Sequence, residues 1–293
     1  MSLPEPTQVA VADPQWGDLT FSVRLAGPAD GEAVILLHGF PQTSMSWHHQ
    51  IPVLADAGFH VIAPDQRGYS PAARPSAPAA YVMDCLVGDV LGLAAALGRE
   101  RFHLVGHDWG GAVAWQVAGR HRDRVRSLSV LSTPHPQAMA DAYAGKIGGD
   151  QAARSGYVQM FREEGTEHGM LANDAAGLRM VLQASGLTEA ESKPYLDALA
   201  NAAALGAALN WYRAASLADV DELGPITAPT LYIWSTNDLA LGREAAEATA
   251  DHVDGPYTFQ ELDGVDHWIA EHAPDATNRA LLQNFARASR PSR

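Results

Sequence analysis

Arg101-Phe102-His103-Leu104-Val105-Gly106-His107-Asp108-Trp109-Gly110-Gly111 runs from an apolar segment, through a tight turn of small residues, into helix-favouring sequence that continues to Arg120. A short apolar run bounded by turn residues reads as a strand covered on both faces. The small-x-acid-x-small-small pattern around Asp108 is the layout of a sharp strand-to-helix turn that exposes a nucleophile. Neighbours lacking a Cβ avoid collisions in such a turn, and the N-terminus of the following helix stabilises negative charge on the acid. A plain strand–loop–helix turn with Asp108 as N-cap fits the same residues. The G-x-G-x-x-G spacing of a dinucleotide fingerprint is absent, and no G-x-S-x-G occurs in the chain.

Similar apolar runs recur on either side, at Leu19–Leu25, Ala33–Leu37, His60–Ala63, Val125–Leu131, Thr230–Ser235 and Tyr257–Leu262. Helical stretches such as Tyr81–Leu97 lie between them. Strands alternating with helices imply crossover connections and an α/β fold with a mostly parallel central sheet flanked by helices. The first run alternates more clearly and reads as the start of an antiparallel edge. Between Pro136 and Ser216 the rhythm breaks into Ala-rich sequence without a strand-like run, with Thr188-Glu189-Ala190-Glu191 reading as a capping box. The economical division is an α/β core from residues 1–135 and 217–293 with an all-helical insertion at 136–216.

The chain has 293 residues, and single hydrophobic cores stop growing near roughly 250–300, so an insertion also suits the length. The formal charge of −14 disfavours a nucleic-acid partner. Cys85 is the single cysteine, so no internal disulfide forms. No apolar run approaches a membrane span and the first residues carry no signal-peptide pattern, so a soluble, cytoplasmic protein is expected.

Three further segments supply partners for Asp108. His38-Gly39-Phe40-Pro41 follows the strand-like Ala33–Leu37, and a loop there can present the N–H of Phe40 beside that of Trp109 as an oxyanion hole. Asp238 follows the run Thr230–Ser235, and His267 follows Tyr257–Leu262, 29 residues further on. Both therefore sit past the carboxyl ends of strands, the rim where open α/β sheets bind ligands. The chain order nucleophile, acid, histidine is that expected for such a fold.

On these residues, and on Asp65-Gln66-Arg67-Gly68-Tyr69-Ser70, the chain resembles the α/β-hydrolase superfamily in its epoxide hydrolase branch, related to haloalkane and fluoroacetate dehalogenases. The resemblance runs from about Leu19 to Ala286 and makes the insertion a helical cap. It implies two cap tyrosines that hydrogen-bond the opening epoxide oxygen: Tyr157 in Gly156-Tyr157-Val158-Gln159-Met160-Phe161, and Tyr212 in Asn210-Trp211-Tyr212-Arg213. Cap tyrosines also serve as plain packing. A fluoroacetate dehalogenase places arginines beside its nucleophile, whereas residues 109–113 contain none. A haloalkane dehalogenase typically places Asn where this chain has Phe40.

The implied reaction converts an epoxide to a vicinal diol through an ester on Asp108, hydrolysed by water that His267, oriented by Asp238, activates. The partners are a small-molecule epoxide and water, no metal or organic cofactor is called for, and the chain is expected to be a monomer or homodimer. The alternatives are a haloalkane or haloacid dehalogenase using Asp108, or a catalytically silent ligand-binding or effector protein. His38, Pro41, Trp47, Met160, Phe161 and Trp268 are candidates for lining the substrate site, with aromatic core packing an equal account. Asp266 is a substitute for Asp238 on the wrong strand. The His48-His49 and His103/His107 pairs lack the accompanying ligands of a metal site. Phe40-Pro41 is a candidate cis peptide in the tight turn that the resemblance implies.

Overall fold

The computed structural model describes residues 3–216 and 223–289. Eight strands form one sheet: β1 (Thr7–Asp13), β2 (Gly17–Ala26), β3 (Ala33–Leu37), β4 (His60–Pro64), β5 (Phe102–His107), β6 (Val125–Leu131), β7 (Thr230–Ser235) and β8 (Tyr257–Leu262). Their spatial order is β1-β2-β4-β3-β5-β6-β7-β8. All pairings from β4 to β8 are parallel, and β1 and β2 add an antiparallel edge. The seven expected runs are all strands. The eighth, β1, was not foreseen, although Val9 and Val11 alternate inward with exposed neighbours in the period-2 pattern of a one-faced strand.

Consecutive apolar residues in β3 divide between two cores. Ile35 and Leu37 pack with Leu86, Val90, Val113 and Ala114 of the helices Met83–Ala96 and Trp109–Arg120. Val34 and Leu36 pack on the opposite face with Ile51, Leu54, Leu281 and Phe285 of the helices Gln50–Asp56 and Pro274–Ala288. Burial of both faces is what right-handed crossovers demand, since they place helices on each side of a parallel sheet.

Between β6 and β7 the described residues contain no strand. They form the helices Pro136–Tyr143, Gln151–Arg154, Tyr157–Arg162, Thr166–Ala184, Glu189–Ala198 and Ala202–Ala214. The fourth is broken at Ala172–Ala175, where three residues adopt positive φ. Thr188 and Glu191 close the foreseen capping box on the fifth. The expected return to the core at residue 217 lies outside the described residues. No helix among the described residues is long and apolar enough to cross a membrane.

Strand order sets which loops meet. Leu37 is in register with Gly106, His107 with Leu131, Leu131 with Ile233, and Ser235 with Leu262. The loops after β3, β5, β6, β7 and β8 thus emerge side by side along one carboxyl-end rim. One structural knot sits beneath it. Arg67 is 1% exposed, its Nε and Nη2 donate to Asp89, and Nη2 also reaches Asp13 at 2.6 Å. Nη1 donates to the carbonyl of Ala80, and Trp211 Nε1 donates to the carbonyl of Arg67 itself. The loop carrying Arg67 is thus tied to the β1 end and the helix Met83–Ala96 through its guanidinium, and to the helix Ala202–Ala214 through its carbonyl.

Removing one partner of a buried ion pair leaves charge uncompensated, at a cost of about 3–5 kcal/mol. Arg67→Ala should lower the urea-unfolding free energy by about that amount. An unchanged midpoint would show that the knot carries no stability.

Candidate active site

Asp108 stands between β5 and the helix Trp109–Arg120 with φ 51° and ψ −122°, a backbone that L-residues seldom adopt. Close packing enforces the turn. A Cβ on Gly110 would lie 2.2 Å from the carbonyl oxygen of Leu37, and one on Gly39 would lie 2.3 Å from the Asp108 Cβ. Thr133 Oγ1 donates to the Asp108 carbonyl at 2.7 Å and pins the turn from the β6 side.

The Asp108 side chain is 16% exposed. Its Oδ1 accepts the N–H of Phe40 at 2.8 Å, and the N–H of Trp109 donates to the same carboxylate. Burial pushes the Asp108 pKa up, while His267 and these two N–H groups oppose that shift. The loop carrying Phe40 is shaped by the cis Phe40–Pro41 peptide and by His38. His38 Nδ1 donates to the carbonyl of Gly39 at 2.9 Å, and its Nε2 accepts the N–H of Gln66 at 3.1 Å. That pairing requires neutral imidazole, consistent with a pKa driven down to about 4 by burial.

His267 follows β8. Its Nδ1 lies 2.8 Å from Asp238 Oδ2, and its Nε2 lies 3.7 Å from Asp108 Oδ2. Asp238 is 1% exposed, and its Oδ1 accepts the N–H groups of Ala240 and Leu241. Burial works against charge on both partners. Even so, His267 rises to about 9 because Asp238 and Asp108 flank it, and Asp238 falls below the ordinary carboxylate range. His107, also buried, instead drops to about 3 and hydrogen-bonds the carbonyl of His267. Of these three buried imidazoles, the one facing carboxylates holds a proton.

Tyr212 packs edge-on against Phe40 and Trp109, with ring centroids 5.2 and 5.1 Å away. Those are the two residues whose N–H groups face Asp108. Tyr157 lies 6.3 Å from Tyr212, and Phe161 contacts both rings as well as Phe40. Burial, then the charge of Asp108, pushes the Tyr157 phenol upward. Tyr212 rises through burial, Tyr157 and Asp108. Both phenols stay protonated and remain hydrogen-bond donors.

The other candidates scatter. Trp268 is buried beside His267, at 5.0 Å between rings, with its Nε1 donating to the carbonyl of Leu182. Pro41 is the cis residue of the loop. Met160 is 47% exposed. Trp47 does not join the tyrosines: it packs in the core on the far face of the sheet with Ile51, Leu54 and Phe285, because both faces are apolar and the pattern alone cannot assign a side. Asp266 turns away from His267, accepting from His272 Nδ1 at 2.7 Å and from the N–H of Trp268. His103 binds Ser127 and Glu32, and His48 the carbonyl of Met45. No group of three or more His, Cys, Asp or Glu among the described residues is arranged to hold a metal.

Ser132 and Thr133, at the end of β6, escaped the sequence reading although they touch the acid, the histidine and the nucleophile's backbone. A second unforeseen group is Glu271, buried four residues after His267. It accepts from Gln42 of the Phe40 loop and from Tyr195 of the helix Glu189–Ala198.

The model of the alpha/beta hydrolase fold family matches residues 32–274. This chain belongs to the α/β-hydrolase superfamily. Its relatives set it in the epoxide hydrolase branch. The α/β-hydrolase is 34% identical to epoxide hydrolase A of Mycobacterium tuberculosis, over 90% of this chain and 94% of that protein. It is equally similar, with the same coverage, to the AB hydrolase superfamily protein YfhM of Bacillus subtilis. A solved structure described among novel epoxide hydrolases from metagenomes of hot environments superposes with a TM-score of 0.83 at 34% identity, covering 98% of this chain and 99% of that one.

The folded pKa of His267, about 9, lies above its ordinary value of 6.5, so folding favours the imidazolium. That contribution is complete below about pH 6.5 and is lost as pH rises through about 9. Thermal melts should therefore decline across this window in the wild-type α/β-hydrolase. His267→Gln should flatten the decline, and equal slopes would refute the coupling.

Proposed function

We propose that this chain hydrolyses epoxides to vicinal diols through a covalent ester on Asp108, with residues 136–216 acting as a cap over residues 1–135 and 217–293. The observation that carries the reading is the pairing of Asp108 with two phenols. Tyr212 rests on the rings of both residues whose N–H groups face the carboxylate, and Tyr157 lies beside it. The relatives' names point the same way.

Asp108 Oδ1 is engaged by the Phe40 N–H, which leaves Oδ2 as the attacking atom. Attack on a ring carbon breaks its bond to oxygen; Tyr157 and Tyr212 both hydrogen-bond that oxygen and one of them gives it a proton. The resulting phenolate takes back a proton from the His267 imidazolium once Asp108 is esterified. Esterification removes the Asp108 charge, one of the causes that hold His267 protonated. The imidazole then becomes a base when a base is needed. Its Nε2 takes a proton from water as that water attacks the ester carbon. The oxyanion forms on Oδ1 between the N–H groups of Phe40 and Trp109, and its collapse releases the diol and restores the carboxylate. Asp238 keeps Nδ1 protonated throughout. Each step uses side chains, backbone N–H groups and water.

A dehalogenase would use the same Asp108 but gains nothing from two phenol donors for an oxygen leaving group. For a haloacid the resemblance also calls for arginines beside the nucleophile to hold the substrate carboxylate, and residues 109–113 contain none. A binding protein without turnover would not require the Asp108–His267–Asp238 alignment.

Styrene oxide, 1-bromobutane and fluoroacetate, assayed for diol, bromide and fluoride, separate the readings. Diol alone is expected, and halide without diol would replace the assignment. Tyr157→Phe and Tyr212→Phe should each slow ring opening by roughly 100–1000-fold, since each removes one donor to developing charge. His267→Gln should accumulate an adduct of the substrate's mass on the Asp108 peptide. An intact mass unchanged after epoxide exposure would rule out the ester.

A further inference from the structure

Ser132 occupies a position that its residue type does not favour. It follows β6 directly, is 0% exposed, and has φ 73°. Its N–H donates to the carbonyl of Ile233 at 2.8 Å, and its own carbonyl accepts the Tyr232 hydroxyl at 2.8 Å, so β7 clamps the residue on both sides. Glycine would take this left-handed backbone without penalty. A serine here carries a conformational cost that its hydroxyl must offset.

The hydroxyl has a specific address. Ser132 Oγ donates to Asp238 Oδ2 at 2.7 Å and lies 3.0 Å from His267 Nδ1. Asp238 Oδ2 thus receives two donors, the His267 Nδ1–H and the Ser132 O–H, while its Oδ1 takes the N–H groups of Ala240 and Leu241. Because Ser132 is a donor to the carboxylate, it draws electron density from the oxygen that His267 leans on. We propose that Ser132 is a positioning residue that sets the basicity of His267 through Asp238 and so determines the pH range in which the ester on Asp108 is hydrolysed. The inference rests on the ester reading given above.

The titratable groups facing this triangle are His267, Asp238, Asp108 and His107, with Asp266 beside His267 and the Tyr232 hydroxyl on the Ser132 carbonyl. His107 stays neutral and binds the His267 carbonyl. Asp108 is neutralised in the ester, which leaves Asp238 as the carboxylate bonded to the imidazole. With the serine donor gone, Asp238 is less stabilised as an anion and holds the imidazolium proton more firmly. The base form of His267 then appears only at higher pH.

Ser132→Gly and Ser132→Ala test this in single-turnover reactions on styrene oxide, with the ester followed by intact-mass spectrometry and the diol by chromatography. Glycine separates the two roles: it relieves the strained φ, so melting should hold or rise while the hydroxyl is lost. Both variants should form the ester at near wild-type rate and hydrolyse it roughly 10-fold more slowly at neutral pH. The rising limb of hydrolysis against pH should move upward in both, whereas ring opening should not change. Ser132→Asn, an N–H donor tolerated at positive φ, should bring the limb back toward wild type. A wild-type pH limb in Ser132→Gly overturns the proposal even if the ester is seen. Failure of the wild-type enzyme to form any ester would instead overturn the reading on which it rests.

Discussion

A carboxylate held where burial favours its neutral form is the constraint around which this molecule is arranged. Asp108 must stay ionised at the rim of a dry α/β core, and burial pushes its pKa up. Three opposing groups hold the charge: the N–H groups of Phe40 and Trp109, and the imidazolium of His267. Each reaches Asp108 only because the backbone there adopts φ 51°, which in turn demands missing side chains at Gly39 and Gly110. Strand order supplies the rest, since β3 lies beside β5 and delivers the Phe40 loop to the turn.

The same burial acts differently on each histidine according to its neighbours. His38 and His107 pack against rings and carbonyls and lose their protons, to about 4 and about 3. His267, between two carboxylates, rises to about 9. In the proposed reaction this charge is temporary, because forming the ester removes one of those carboxylates. Charge on the nucleophile and protonation of the base are therefore linked, and the imidazole is freed at the step that uses it.

The helices between β6 and β7 bring aromatic surface and two phenols over this rim. Their attachment to the core is polar as well as apolar. Trp211 reaches the carbonyl of Arg67, and Tyr195 shares Glu271 with Gln42 of the Phe40 loop. Burial lifts Glu271 to about 7, so this junction is held by a carboxylate close to its own titration point at neutral pH. The knot at Arg67 shows the other extreme, a guanidinium kept charged by two aspartates.

Seven strands, the elbow and the Phe40 loop were legible in the residues because each depends on a local pattern, and Asp238 and His267 stood out because each follows a strand-like run. Tyr157 and Tyr212 were singled out only by the family resemblance, and the structure brings these side chains together. Strand β1 was equally local, but its apolar part is only Val9-Ala10-Val11-Ala12, and its outward residues Ala10 and Ala12 are alanines that blur the alternation. What escaped was set by neighbours distant in the chain. Ser132 meets Asp238 from 106 positions away, and Glu271 meets Gln42 from 229. Trp47 went to the far core because a strand-loop pattern buried on both faces carries no label for either side. Asp238 rather than Asp266 faces the histidine because β7 and β8 pair in register and direct Asp266 toward His272. The chain by itself determined which backbone turns could form and in what order the reactive groups would arrive. The tertiary structure alone decided which hydrogen bonds those groups would share, because strand pairing, and not sequence distance, sets which loop ends lie within 3 Å of one another.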